Sequence, residues 1–225
     1  MAKQNFKKED EQLENVSEAL STTGQWIEDH QNLLLGIVAA IAVVVFGFIA
    51  LNNYVFKPKA IEAGNEIAKA EVYFMQGDWE KALNGDDAEC IGFEEIAHSY
   101  GSYQQGELAH LYAGICYYQL GQYDEAAANL RKFSADDVMV NPAANQLLGD
   151  AYVQMDELEK AVKAFDAAAK SGNELIAPMS LKKAGLVYLE LDNKQAAHKC
   201  FVQIRDNYPT SQEAQDIEKF IALAQ

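Results

Sequence analysis

The chain has 225 residues, with 18 Lys and Arg against 34 Asp and Glu and a net charge of −16. An acidic surface argues against nucleic-acid binding, which needs a basic face, and against a domain that lies flat on anionic lipid. About 170 residues follow an apolar stretch near the N-terminus, which is enough for one well-buried domain.

Residues 1–32 are predicted to be a retained acidic tail. Three lysines, at positions 3, 7 and 8, stand against seven Asp and Glu residues. A secretory signal has instead a basic start, a short apolar stretch and a cleavage site between small residues. Here the apolar stretch is longer, and Ala50-Leu51-Asn52 is a poor cleavage site.

Residues 33–51 read LLLGIVAAIAVVVFGFIAL and carry no charge. At about 1.5 Å rise per residue a helix of this length spans roughly 28 Å, close to the hydrocarbon core of a bilayer. Trp26 and Tyr54 flank it, where amphipathic rings favour the headgroup level. The alternative is a buried helix of a soluble protein. We expect a single transmembrane helix.

The charges beside this segment leave its orientation open. Lys57 and Lys59 follow it closely, whereas Lys8 is the nearest lysine on the other side. Positive residues tend to stay cytoplasmic, which favours a cytoplasmic large domain. Long domains, however, cross membranes largely regardless of their charge.

The rest of the chain repeats itself. Residues 109–133, 144–168 and 180–204 align at spacings of 35 and then 36 residues. Small residues are expected where two helices cross closely, and large apolar ones where a helical hairpin stacks on its neighbour. The residues in register are Gly114, Gly149 and Gly185; Tyr117, Tyr152 and Tyr188; Ala126, Ala161 and Ala197; and Leu130, Phe165 and Phe201.

This pattern resembles the tetratricopeptide repeat family, whose unit has about 34 residues with small, Tyr, Ala and Phe positions. The resemblance covers roughly residues 107–210, and Asp156 and Asp192 replace the turn glycine seen at Gly121. It implies an all-α fold in which the transmembrane helix is followed by an α-solenoid of helical hairpins.

The repeat domain is predicted at 58–225. An altered first unit is interrupted by the turn-forming stretch NGDDAECIG at 84–92. The last helix carries Ile217, Phe220, Ile221 and Ala224 on one face, where they can cap the stack. The predicted segments are units at about 60–98, 107–140, 142–175 and 178–210, and a capping helix at 211–225.

The resemblance also implies a binding groove lined by the first helix of each unit. The predicted lining is mostly apolar and lacks the Lys, Asn and Arg set with which some family members clamp a peptide carboxylate. We expect it to hold an extended or helical polypeptide, although single residues could instead pack on a neighbouring unit or on the terminal helix. The lining residues are Leu108, Leu111, Ile115, Tyr118, Gln146, Asp150, Val153, Met179, Lys182, Leu186 and Leu189.

The sequence offers no catalytic or cofactor motif. It lacks a Gly-rich phosphate loop, HExxH and GxSxG. Cys116 and Cys200 fall in predicted helices, where a free Cys usually behaves as a small hydrophobe, and Cys90 is expected to be exposed in a loop. The sequence therefore predicts a protein that is not an enzyme and has no cofactor, no metal, no small-molecule substrate and no nucleic-acid partner.

The layout as a whole is similar to the ancillary subunit family of the bacterial SecYEG translocon. The residues concerned are ENVSEALSTTGQWIEDHQNLLLG in the tail, the apolar segment, and the repeats from KAIEAGNEIAKAEVYFMQGDWEKALNG onward. The resemblance implies an inner-membrane protein with a cytoplasmic N-terminus and a periplasmic repeat domain. Its partners would be translocon subunits, periplasmic chaperones or emerging polypeptides.

Two other interpretations stay open. The end of the chain, IRDNYPTSQEAQDIEKFIA, resembles the closing repeats of the periplasmic partner of the Tol-Pal envelope system. That resemblance would imply an adaptor that organises the envelope or the division machinery. The lysines after the apolar segment favour a cytoplasm-facing tethered adaptor instead.

Overall fold

A computed structural model describes Trp26, residues 30–86 and residues 89–225. The predicted tail at 1–32 falls almost wholly outside the described residues. The chain divides into two compact units, Met1–Pro58 and Lys59–Gln225.

The N-terminal unit contains helix α1, Gln31–Leu51, followed by a π-helical turn at Asn52–Phe56. The helical stretch that begins at Gln31 is long and apolar enough to cross a membrane, and none of its apolar window is buried in the protein. Signal sequences satisfy the same criterion of length and composition, so α1 is a candidate membrane span.

The larger unit is a series of helices joined by short turns, with one small β-hairpin among the described residues. Consecutive helices pack in pairs, and each pair packs on the next, so the predicted all-α solenoid of helical hairpins is confirmed. The elements are α2 Lys57–Met75, α3 Trp79–Asn84, β1 Gly85–Asp86, β2 Cys90–Ile91, α4 Phe93–Ser99, α5 Gln104–Gln119, α6 Tyr123–Leu130, α7 Val140–Gln154, α8 Leu158–Ala169, α9 Ile176–Glu190, α10 Lys194–Asn207, a 3-10 turn Gln212–Asp216 and α11 Ile217–Leu223.

The β-hairpin occupies the stretch that the sequence predicts only as a break in a helix. Gly85 pairs with Ile91 and Asp86 with Cys90 in antiparallel register. A carboxylate oxygen of Asp86 accepts hydrogen bonds from the backbone N–H groups of Glu89, at 2.8 Å, and Cys90, at 3.0 Å. The hairpin buries Cys90, a residue that is 6% exposed, so the expectation of a loop-exposed thiol is wrong.

Buried apolar residues form two clusters in the larger unit, one between Ile67 and Ala126 and one between Leu111 and Ala224. The terminal helix joins the second cluster through Ile217, Ile221 and Ala224, which are buried, and Phe220, which is half-buried against them. Phe220 lies 5.5 Å from Phe201 between ring centroids. In the predicted capping segment at 211–225, a 3-10 turn at Gln212–Asp216 precedes the helix.

Each hairpin turn closes in the same way around the tyrosine that recurs in the repeat. The residue after the turn donates its backbone N–H to the carbonyl of that tyrosine, as Gln122 does to Tyr117 at 2.9 Å. The same bond joins Glu157 to Tyr152 and Asn193 to Tyr188. This is the Schellman motif, in which the residue before the donor adopts a left-handed conformation. Residues in that conformation are Gly77, Gly121, Asp156 and Asp192.

Three glycines let the two helices of a hairpin approach each other closely. A Cβ atom added at Gly114 would lie 2.7 Å from Leu130, at Gly149 2.5 Å from Phe165, and at Gly185 2.4 Å from Phe201. Real Cβ atoms do not approach other atoms so closely. The small-residue positions of the repeat are therefore the helix-crossing points, as the sequence predicts.

Replacing Asp156 by Gly should stabilise the protein. Asp156 has φ 59°, a conformation that costs an L-residue about 1 kcal/mol, less for Asp than for most. We expect a gain of roughly 0.5–1 kcal/mol in the free energy of unfolding, measured by urea denaturation of the full chain. Gly121→Asp should lose a similar amount, since Gly121 has φ 75° and no neighbour within 4 Å. An unchanged midpoint in both variants would refute this account of the turns.

Gly185→Ala should destabilise the protein by about 1–3 kcal/mol, the usual cost of overpacking a core. The new methyl group would meet the ring of Phe201. Gly64→Ala is the matched control, because a Cβ there meets nothing within 4 Å and alanine favours a helix by up to about 1 kcal/mol. Urea midpoints that move the same way in the two variants would contradict the assignment of Gly185 as a crossing point.

Candidate functional site

The predicted groove residues lie on α5, α7 and α9, the first helices of three successive units. We call these eleven residues the first-helix face. They do not share one environment. Leu186 is exposed at 43%, Leu111 is buried at 8%, and the remainder are half-buried. Leu111 packs into the core, so it supports the stack and offers no surface to a partner.

Two polar members of the face join neighbouring units. The Oε1 atom of Gln146 accepts a hydrogen bond at 2.9 Å from the hydroxyl of Ser180, which is fully buried. Both carboxylate oxygens of Asp150 accept from the Lys183 ammonium, at 2.8 and 2.6 Å. A partly exposed ion pair of this kind contributes up to about 1 kcal/mol. These residues therefore hold α7 against α9.

Sequence reasoning missed Ser180 and Lys183. The signal was present in the alignment of the repeats, where Lys183 and Asp150 occupy positions one helical turn apart on consecutive first helices. Opposite charges in that relation can meet across a unit boundary, because adjacent first helices lie side by side.

Lys182 connects the face to the cap. Its ammonium donates to Asp216 at 2.7 Å and lies 4.8 Å from the centroid of the Phe220 ring. The nearby ammonium holds the pKa of the Asp216 carboxyl below its usual range. Of the two roles that the sequence allows for this residue, packing on the terminal helix is the one that the structure describes.

Tyr118 forms the aromatic part of the face. Its ring meets that of Tyr123 edge-on, with 5.4 Å between centroids. Burial raises the pKa of the Tyr118 phenol, and the negative charge of Asp150 raises it further. The Tyr118 hydroxyl therefore stays protonated at neutral pH.

The surface that the face leaves for a partner is apolar. Leu186 is its exposed apolar member, and the half-buried apolar members are Leu108, Ile115, Val153, Met179 and Leu189. The ion pair and the amide of Gln146 add polar contacts between them. Such a surface can hold a polypeptide through side-chain burial and a few hydrogen bonds.

No group of three or more His, Cys, Asp and Glu residues within the described ranges is arranged to hold a metal ion. The three cysteines are free and buried. Burial raises the pKa of the Cys116 thiol to about 12 and that of Cys200 to about 11, with the charge of Asp166 adding to the second. Thiols of this kind are poor nucleophiles at neutral pH.

Comparisons with known proteins agree with this architecture. Residues 108–136 and 142–171 each match a family model described as tetratricopeptide repeat. These ranges fall in the second and third predicted units. The chain therefore contains tetratricopeptide repeats, which bind protein partners and typically form non-enzymatic interaction scaffolds. No curated protein matches the chain.

Solved structures show the same fold at low sequence identity. A crystal structure of nearly identical TPR-like repeats from a candidate kinesin light chain of Podosopora anserina is 13% identical, with TM-score 0.52, and covers 73% of this chain and 86% of its own. The crystal structure of MamA is 18% identical, with TM-score 0.50, and covers 69% of this chain and 91% of its own. These likenesses establish a TPR-like helical solenoid.

The thiols should be unreactive in the folded protein. We expect a water-soluble thiol reagent to modify none of Cys90, Cys116 and Cys200 at pH 8, and all three in denaturant. Because burial raises all three pKa values, raising the pH to 9.5 should not produce the increase in rate that a free thiol shows. Rapid modification of Cys90 in the native protein would contradict the burial of the β-hairpin.

Proposed function

We propose that this chain is a non-enzymatic, membrane-tethered scaffold that binds polypeptide partners through the first-helix face. The observation that carries the proposal is the side-by-side arrangement of α5, α7 and α9, with Leu186 exposed among half-buried apolar side chains. Each unit packs on the next, and the Asp150–Lys183 pair also joins α7 to α9, so the face is a preformed surface that needs little ordering when a partner binds.

The proposed tether is α1. Its large apolar side chains are exposed along its length, including Phe46, Phe48 and Val43. Leaving such surface in water is unfavourable by about 25 cal/mol per Å², and insertion into lipid removes that cost. The helix of 21 residues is about 31 Å long at 1.5 Å per residue, which suits a bilayer core. Tyr54, which is 83% exposed, follows it at the place of an interfacial anchor.

The proposed location is the bacterial inner membrane, with the N-terminus in the cytoplasm and the repeats in the periplasm. There the scaffold would stand at the exit of the Sec translocon and assist chaperone recruitment or the folding of translocated proteins. This part of the proposal rests on the resemblance in layout to the ancillary translocon subunits. The resemblance of residues 204–222 to the Tol-Pal partner favours an envelope-organising adaptor as the second candidate.

Lys57 and Lys59 favour a third arrangement, in which the repeats face the cytoplasm. Membrane topology separates it from the other two. Because the native thiols are buried, the reporter must be an added one, such as Gln154→Cys at an exposed position. Labelling of that variant by an impermeant thiol reagent once the outer membrane is permeable supports the periplasmic orientation. Labelling that needs full lysis overturns it.

The partner face is tested by Leu186→Asp in the full-length protein. We expect capture of SecY from solubilised membranes to fall at least tenfold, which corresponds to about 1.4 kcal/mol, because a carboxylate replaces an exposed apolar anchor. Leu223→Asp is the matched control, since Leu223 is also exposed, at 55%, but lies on the cap. Leu111 is unsuitable for this test, because a charge at a buried position would unfold the domain.

Equal capture by Leu186→Asp and the wild type, with unchanged helical circular dichroism, would refute the first-helix face as the binding surface. Capture of Tol-Pal or division proteins in place of SecY would support the envelope-organising adaptor, the second candidate function.

A further inference from the structure

A second apolar surface lies at the edge of the stack, where the loop after α6 returns to the start of α7. A cleft of about 590 Å³ opens there between this loop and the N-terminal part of α5. Its apolar lining comes from Leu108, Phe133, Ala135 and Val140. Leu108 is the member of the first-helix face that reaches this cleft, and Leu186 does not line it.

Hydrogen bonds fix the conformation of the loop that forms the rim of the cleft. The Asp137 carboxylate accepts from the backbone N–H groups of Met139, at 2.7 Å, and of Val140 and Asn141. Asn173 in the next inter-unit loop donates its side-chain N–H to the carbonyl of Val138 at 3.0 Å. Two loops that are 35 residues apart in sequence are therefore tied together.

The result is a row of large apolar side chains that point into solvent on a fixed backbone. Val138 is 69% exposed, Met139 55%, Val140 44% and Leu175 62%. Such a row is unfavourable in water, and scattered single apolar residues are the normal case on a surface. Here Val138, Met139 and Val140 are consecutive at the edge of an apolar cleft, and Leu175 follows Asn173, which is bonded to Val138.

The charge around the cleft selects the chemistry of its occupant. Among the described residues, its lining includes the carboxylates of Glu107, Asp136 and Asp137 and no Lys or Arg. The pKa of Asp137 is below its usual range, because backbone N–H groups bond to the charged form, so that carboxylate remains charged well below neutral pH. An acidic rim repels anionic lipid and acidic peptides, and it attracts a basic chain.

We propose that this edge cleft is a second docking site, which takes a basic polypeptide segment with apolar anchor residues. The anchors enter the cleft beside Phe133 and Val140 and cover Met139 and Leu175, while Lys or Arg side chains meet the rim carboxylates. The cleft shares Leu108 with the first-helix face, whereas Leu186 lies outside its lining.

The test uses the full-length protein in nanodiscs of neutral lipid, with Ser134→Cys carrying a bimane fluorophore. Ser134 is exposed and lines the cleft, and the native cysteines are buried. The probe is a short peptide of alternating Lys and Leu with one Trp, which quenches bimane on contact. We expect saturable quenching that weakens as salt is raised.

Three comparisons give the result its meaning. The double variant Met139→Ser, Leu175→Ser should bind the peptide at least tenfold more weakly. Because both residues are exposed, the variant should keep the circular dichroism of the folded protein. The same peptide with Glu in place of Lys should not quench. Leu186→Asp should bind the Lys-Leu peptide like the wild type, so that failure of the first-helix face leaves this site standing.

Unchanged quenching in the double Ser variant, or equal quenching by the Glu peptide, would overturn the proposal. A blue shift of the bimane in nanodiscs without any peptide would also overturn it, because it would mean that the edge contacts lipid and not a polypeptide. Loss of quenching in Leu186→Asp would place the peptide on the first-helix face.

Discussion

The close crossing of two helices in each hairpin is the constraint on which the structure depends. At Gly114, Gly149 and Gly185 the partner side chain occupies the space that a Cβ atom would need. Leu130, Phe165 and Phe201 are buried there at 3%, 1% and 0% exposure. The short distance between the two helices determines where the next hairpin can stack. The spacing of the first helices, and therefore the first-helix face, depends on the lack of a Cβ atom at these three glycines.

Polar contacts add to this apolar packing where one unit meets the next. Ser180 is fully buried, and its bond to Gln146 satisfies a hydroxyl that would otherwise cost roughly 1–3 kcal/mol. The Asp150–Lys183 pair fixes the same boundary from a more exposed position. Both contacts lie within or beside the predicted binding face. Some residues that look like ligand contacts in a repeat alignment therefore serve to hold the repeats together.

The repeat pattern predicted most of the fold because each signature residue has a local physical role. The glycine positions predicted the crossings, the tyrosine positions coincided with the turns, and Ile217 and Ile221 predicted the cap. The β-hairpin at 85–91 was not predicted, since two-residue strands leave no periodic signal. Burial of Cys90 follows from that hairpin and was missed with it.

The candidate site was less predictable, because its residues depend on neighbours from other units. Leu111 and Leu186 occupy the same helical face by spacing, yet one is buried and the other exposed. Lys182 is predicted to line the face, and its ammonium bonds to Asp216 of the cap, a contact that the repeat pattern does not predict. The alignment of the repeats places a residue on a particular helix. The side chains of the adjacent unit determine whether that residue stays exposed to a partner.

The hydrogen bond between Ser180 and Gln146 requires these two repeat units to be neighbours in the stack. A perfectly regular solenoid could be lengthened, shortened or shuffled, since every boundary would be alike. Here the unit that contains Ser180 is complemented only by a predecessor that offers an acceptor at the position of Gln146, and Lys183 requires Asp150 from the same predecessor. These two units are therefore not interchangeable modules: a second copy of the unit that contains Ser180, or replacement of the unit that contains Gln146, would leave a buried hydroxyl without its acceptor.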